Sequence, residues 1–248
     1  MTDIPMPAAR FAEREFRIGD AMSKSMLTFL RNLLPFTIVT GIAALPSVLV
    51  FERSIDFDNF SVAVTWWLGG ILLALVLSGL SQAVVLNAAF EDMRGRPVNM
   101  LASLRVGWRR FLPVIGVTLL SGLIAGLAGL ALIIPAFIVL TMLFVATPVC
   151  VVEGLGPVAS LGRSADLTKG SRWRVFAMMF AIWLVGLIGT GIVEALADVA
   201  GPTVAPVLKV VWQALVGAYS ATLAVVTYHD LRVAKEGVDT DQIAAVFE

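Results

Sequence analysis

Five stretches of this chain carry no charged side chain, and their lengths limit what it can fold into. Twenty uncharged residues separate Arg31 from Glu52, 32 separate Asp58 from Glu91, 42 separate Arg110 from Glu153, 19 separate Arg174 from Glu194 and 20 separate Lys209 from Asp230, counting His229 as neutral. A helix needs about 20 mostly apolar residues to cross the hydrocarbon of a bilayer. Four of the stretches suit one crossing each, the 32-residue one as a long or tilted helix with interfacial ends. The 42-residue stretch suits two crossings with a tight turn, expected around Gly126–Ala131. Six spans result. Backbone N–H and C=O groups in hydrocarbon need internal partners, which only helices or closed barrels supply. Runs such as Ile71–Leu77 and Leu130–Ile134 lack the alternation of barrel strands. At 58% hydrophobic and 15% charged residues, no part is polar enough for a separate soluble domain, which would be about a quarter charged.

The expected fold is therefore all-α and polytopic, one membrane domain over residues 1–248. Residues 1–31 would form a cytoplasmic amphipathic segment, 32–229 the six-helix region and 230–248 a cytoplasmic tail. Charges such as Arg10, Arg14 and Arg17 interrupt any cleavable leader near the start. Orientation follows from the basic residues. Sixteen of the 18 Lys and Arg fall in the N-terminal segment, the second-to-third and fourth-to-fifth connections and the tail, and only Arg53 and Lys209 fall opposite. The positive-inside rule puts both ends in the cytoplasm, in the inner (cytoplasmic) membrane of a bacterial cell. Trp108, Phe111, Trp173 and Phe176 at one set of helix ends, and Trp66, Trp67 and Trp212 toward the other, suit aromatic belts.

An internal repeat organises the chain. Pro97-Val98-Asn99-Met100-Leu101 corresponds to Pro157-Val158-Ala159-Ser160-Leu161, 60 residues on. Basic residues follow each, then Trp108-Arg109-Arg110-Phe111 or Trp173-Arg174-Val175-Phe176; Ile18-Gly19-Asp20-Ala21 leading to Phe29-Leu30-Arg31-Asn32 is a weaker third copy. The pattern predicts three pseudo-repeats, each a short amphipathic helix followed by a transmembrane hairpin. The amphipathic helices would lie in the headgroup plane with their Arg and Lys toward lipid phosphates.

Catalytic constellations are sparse. One histidine, one cysteine and no HExxH, CxxC, GxSxG or P-loop pattern leave little for hydrolysis or phosphoryl transfer. No metal or cofactor is expected, and zero net charge argues against nucleic acid as a partner. Cys150 reads as a small buried hydrophobe. His229, beside Asp230, reads as an interfacial histidine, with a proton relay as the sharper alternative. Glu194 and Lys209 read as solvated ends of the fifth and sixth spans. Pro135 and Pro148 would kink the fourth span or mark its ends, and Gly122-Leu123-Ile124-Ala125-Gly126 predicts close packing on a neighbouring helix.

Two groups of residues remain as candidate sites. Arg163, Lys169, Arg172 and Arg174, with Arg105, Arg109 and Arg110, form basic clusters suited to a lipid headgroup or a partner's acidic loop. Ser78 and Gln82 share a helix face, and with Asn87, Gln213 and Thr222 they could line a cavity or bond between helices.

Glu153-Gly154, Pro157-Val158, Leu161, Arg163-Ser164, Leu167-Thr168-Lys169-Gly170 and Trp173-Arg174-Val175-Phe176 resemble the bacterial membrane domain that accompanies glycerophosphoryl diester phosphodiesterases. Tyr228-His229-Asp230-Leu231-Arg232 with Lys235-Glu236-Gly237 resembles its closing motif. Enterobacterial YciC-type inner-membrane proteins look like distant relatives. The resemblance covers mainly residues 92–240, with Ala165 where Trp is usual and His229 where Tyr is usual. The catalytic barrel, which needs several histidines, is missing, so the resemblance implies a membrane companion. The leading expectation is a non-catalytic scaffold, assembly or accessory subunit that meets membrane lipids or another membrane protein through its basic amphipathic helices. The alternative is a carrier of a lipid or other amphiphile through a cavity between the repeats. An enzyme built on His229 and Asp230 is the third class.

Overall fold

The computed structural model describes residues 16–51, 60–131 and 133–236. Arg10, Arg14, Arg53, Gly237 and the rest of the expected tail lie outside the described residues. The described residues are helical throughout apart from short connections: α1 Ile18–Arg31, α2 Leu33–Phe51, α3 Phe60–Met93, α4 Met100–Ala131, α5 Ile133–Leu143, α6 Ala146–Val152, α7 Pro157–Thr168, α8 Arg172–Ala200 and α9 Ala205–Glu236. Five spans are long and apolar enough to cross a membrane: Val64–Met93, Met100–Leu130, Ile134–Val152, Arg172–Ala200 and Ala205–Glu236. A sixth is added if α1 and α2, bent by 86° at their junction, count as one. This is the all-helical architecture of a multi-pass membrane protein.

Helix ends explain several boundaries. The turn expected within Gly126–Ala131 lies just past it, since α4 stays helical to Ala131 and α5 starts at Ile133. The span after that turn is broken between Leu143 and Ala146. Pro135 and Pro148 fall in the first turns of α5 and α6, where a missing N–H costs nothing. Both prolines therefore mark helix starts.

The three short segments do not fold alike. Segments α1 and α7 are separate helices, whereas the middle one, beginning at Met100, runs into its span as the first turns of α4. A left-handed glycine accounts for part of the difference. Gly170, at φ +94°, lets the chain turn between α7 and α8, while α4 continues through Gly107 and Pro113. The α7 helix is packed into the bundle along one face. Its small and polar face, Ser160, Ser164 and Thr168, is buried with Leu161 and Leu167 against α4, α5, α6 and α9.

Burial concentrates at one end of the bundle. Ala83–Phe90 of α3, Val145–Val151 around α6, Val175 and Met178 of α8 and Leu223–Leu231 of α9 form one apolar core there. This is the end that carries the basic connections. Toward the opposite end α4 and α8 expose Leu123, Leu127 and Leu130, and Leu187, Ile192 and Leu196. In water such surfaces would associate; in a bilayer they face chemically equivalent lipid tails.

Gly122 and Gly126 belong to that outward surface, with nothing within 4 Å of a Cβ built on either. They do not seat a neighbouring helix as expected. Close approach occurs elsewhere. A Cβ on Gly107 would lie 2.5 Å from Val84 Cγ2 of α3, and one on Gly189 would lie 2.0 Å from Trp212 Cζ2 of α9.

Candidate functional site

The residues of the Glu153-Gly154, Arg163-Ser164 and Tyr228–Glu236 motifs come from three places in the chain and meet at the basic end. Arg163 Nε donates to both oxygens of Glu153 at 3.2 Å, and its terminal nitrogen pairs with Glu236 Oε1. Arg232 Nε donates to Glu236 Oε2 at 2.9 Å and its Nη1 to Tyr228 Oη at 3.2 Å. Tyr228 Oη donates to Glu153 Oε1 at 2.9 Å, closing the ring. Burial works against the Arg163 charge, but Glu236 and Glu153 outweigh it and hold its pKa above the usual guanidinium value.

Two arginines and two glutamates neutralise one another, so the ring presents no net charge. It fastens the α6–α7 connection and α7 to the end of α9. Next to it, Arg110 Nη1 donates to the Gly154 carbonyl at 3.0 Å, and Ser164 Oγ donates to the Met142 carbonyl at 2.7 Å. Met142 is one of the last residues of α5, whose final carbonyls lack helical partners. Lys235 Nζ adds a bond to the Asp166 carbonyl. On the other side of α9, Lys24 of α1 pairs with Asp230 at 2.9 Å, and His229 Nδ1 lies 3.5 Å from the same carboxylate.

The expected basic site is thus divided. Arg163 and Arg110 are turned inward onto protein partners. Arg105, Arg109 and Lys169 are exposed, beside the exposed Trp108 and Trp173. Arg172 and Arg174 are half-buried at the start of α8, and the Arg172 Nε is buried with no hydrogen-bond partner among the described residues. All seven were candidate contacts for a headgroup or partner from sequence, which does not show which acids of other segments reach them.

A cavity of about 700 Å³ lies between α2, α3 and α9, closed at one side by the break between α5 and α6. Three of the five residues expected to line a cavity are on its wall: Ser78, Gln82 and Gln213. The other two face elsewhere. Asn87 donates to Ser103 Oγ of α4 at 3.1 Å, and Thr222 is buried and donates to the Ala218 carbonyl of its own helix at 2.9 Å. Thr40 and Ser47 of α2, Ser81 of α3, Thr147 of α6 and Ser220 of α9 complete the polar lining. The sequence reading missed Thr40, Ser47 and Thr147. Ser81 sits three residues from Ser78 on the same face, whereas nothing in the sequence signalled that α2 or the α5–α6 break would reach α3.

Hydrogen bonding leaves this lining partly unused. Ser78 and Ser81 hydroxyls donate to carbonyls of their own helix, Leu75 and Ser78. Ser47 Oγ donates to Gln213 Oε1 at 3.3 Å, and Thr40 Oγ1 lies 2.8 Å from the Ala214 carbonyl. Gln82 is half-buried, and among the described residues its carboxamide has no hydrogen-bond partner. A second cavity of about 480 Å³ lies between α5, α8 and α9. Phe144 and Ser220 line both. No group of three or more His, Cys, Asp or Glu placed to hold a metal occurs among the described residues.

Residues 64–231 match the family model described as Domain of unknown function (DUF7847), and the chain belongs to that family. No curated protein matches it significantly. No solved structure does either.

Proposed function

We propose that this protein binds and carries an amphiphile inside the membrane, in the cavity between α2, α3 and α9. The observation that carries the reading is Gln82. A carboxamide has two donors and an acceptor to satisfy, and the half-buried Gln82 makes no hydrogen bond among the described residues. If these polar residues served only to join helices, Gln82 would have found a partner across the interface. It faces a cavity instead, with hydroxyls from α2, α3, α6 and α9 on the wall. A small-molecule site is commonly an apolar cavity of about 300–1,000 Å³ with a few convergent polar groups.

In this reading the protein is non-catalytic, sits in the inner membrane of a bacterium with both ends in the cytoplasm, and is built from three related units, each a short helix and a hairpin. Sixteen basic residues on one side support the orientation, and the corresponding Pro-Val motifs support the repeat. The likeness to the membrane domain found beside glycerophosphoryl diester phosphodiesterases supports a membrane companion rather than an enzyme. Its motif residues are the ones that form the ion-pair ring, a structural clasp near the cavity.

A scaffold or accessory subunit is the second reading. It is favoured by the exposed Arg105, Arg109 and Lys169 beside Trp108 and Trp173, which suit the headgroups of an anionic leaflet or an acidic partner.

Native mass spectrometry of protein extracted in mild detergent tests the first reading. The expected result is a retained amphiphile in the wild type that is lost in Gln82→Leu while the melting temperature holds. An equal retained mass in both, or none in either, would remove the cavity from the function. Arg105→Gln, Arg109→Gln and Lys169→Gln together are expected to leave that mass unchanged; loss of a co-purifying protein in this variant would favour the scaffold.

A further inference from the structure

We infer that the amphiphile is an uncharged two-chain glycerolipid of the diacylglycerol class, with its hydroxyl head between Gln82 and Gln213 and one chain passing Phe144 into the second cavity. The inference rests on the amphiphile-binding reading and specifies its ligand.

Charge decides the head. Neither cavity has an Asp, Glu, Lys, Arg or His on its described wall. A phosphate or carboxylate there would lack a counter-ion in low dielectric, and unpaired charge at that depth is strongly disfavoured. Gln82 and Gln213 instead offer amide donors and carbonyl acceptors, which suit a hydroxyl and ester carbonyls without changing the charge of the site. Gln213 is exposed at the edge of the cavity and Gln82 is half-buried, so a head entering past Gln213 reaches Gln82 deeper in.

The lining and size of the two cavities decide the rest. The first cavity gathers eight hydroxyl or carboxamide side chains. The second has Thr190 and the shared Ser220 as its polar side chains, and is otherwise walled by groups such as Met179, Ile182, Trp183 and Leu223. Both walls are mainly apolar and suit acyl chains, and the hydroxyls and carboxamides of the first cavity suit a small polar head. At about 700 and about 480 Å³, the cavities exceed in combination the roughly 1,000 Å³ at the top of the small-molecule range, which suits two chains better than one.

The probes are 1,2-dioleoylglycerol, dioleoylphosphatidylglycerol and dioleoylphosphatidylcholine, titrated into the purified full-length protein in detergent with thermal melting as the readout. Dioleoylglycerol is expected to bind at least about tenfold more tightly than either phospholipid, and Gln82→Leu to weaken it about tenfold, the worth of one or two hydrogen bonds. Gln213→Leu, at the cavity edge, is the second variant should Gln82→Leu fail to fold, with the same direction expected. Phospholipid binding as tight as dioleoylglycerol binding, and equally sensitive to these substitutions, would overturn the uncharged head while leaving amphiphile binding intact. Binding of all three lipids that ignores both substitutions would overturn the inference and the functional reading together.

Discussion

Arg163 and Ser164 are adjacent, yet they serve two different neighbours. The guanidinium joins Glu153 to Glu236, while the hydroxyl takes up a carbonyl at the end of α5. Helical spacing separates adjacent residues by about 100°, so one turn of α7 reaches both sides of its seat. Removing the Arg163 charge would leave two half-buried carboxylates without it. Arg163→Gln is expected to cost about 2 kcal/mol, less than a fully buried pair because the group is 30% exposed. Lys169→Gln, on an exposed residue of the same segment, is expected to change stability by less than about 0.5 kcal/mol. Thermal melting in detergent checks both; equal losses would mean that the ring does not hold the fold together. Gly154 is constrained twice, by φ +73° and by the Arg110 guanidinium 2.6 Å from where a Cβ would stand. Gly154→Ala is expected to cost about 1–2 kcal/mol from backbone strain alone, measured in the same assay.

At the scale of elements, helix crossings rather than glycine motifs show which glycines matter. Gly107 lets α4 lie against α3, because a Cβ there would also come within 3.3 Å of the Val84 backbone nitrogen, which cannot rotate away. Gly107→Ala should force the two helices apart at a cost of about 1–3 kcal/mol. Gly122→Ala and Gly126→Ala meet open space on the same helix and should be neutral or stabilising by up to about 1 kcal/mol each through helix propensity. Melting temperatures that fall for Gly122→Ala as much as for Gly107→Ala would mean that the outer face of α4 is packed against something in the membrane. The Pro-Val repeat also plays out differently in each element. The same kind of segment begins a long helix at Met100 but forms the separate α7 after Gly156, because α7 has a buried seat between α5, α6 and α9.

The whole molecule has a packed end and an open end. Small helices α1, α6 and α7 fill the space between the long ones at the basic end, and the ion pairs tie them to α9. The cavities lie between the long helices α2, α3, α8 and α9, beside the α5–α6 break. If the basic end faces the cytoplasm, green fluorescent protein fused after Glu248 should fluoresce and alkaline phosphatase fused there should stay inactive. The reverse pair of outcomes would invert the molecule and put the ring outside.

Charge-free length alone determined the helical class, the number of long apolar helices to within the bent α1–α2 pair and the near position of the α4–α5 turn, because hydrocarbon tolerates little else. Helical spacing also put Ser78 and Gln82 on one face. Tertiary structure alone decided which basic residues are spent on internal acids, that Asn87 and Thr222 turn away from the cavity, and that Thr40, Ser47 and Thr147 join it. Each of these depends on contacts between residues far apart in the chain, and local periodicity carries no information about which distant side chain fills the space opposite.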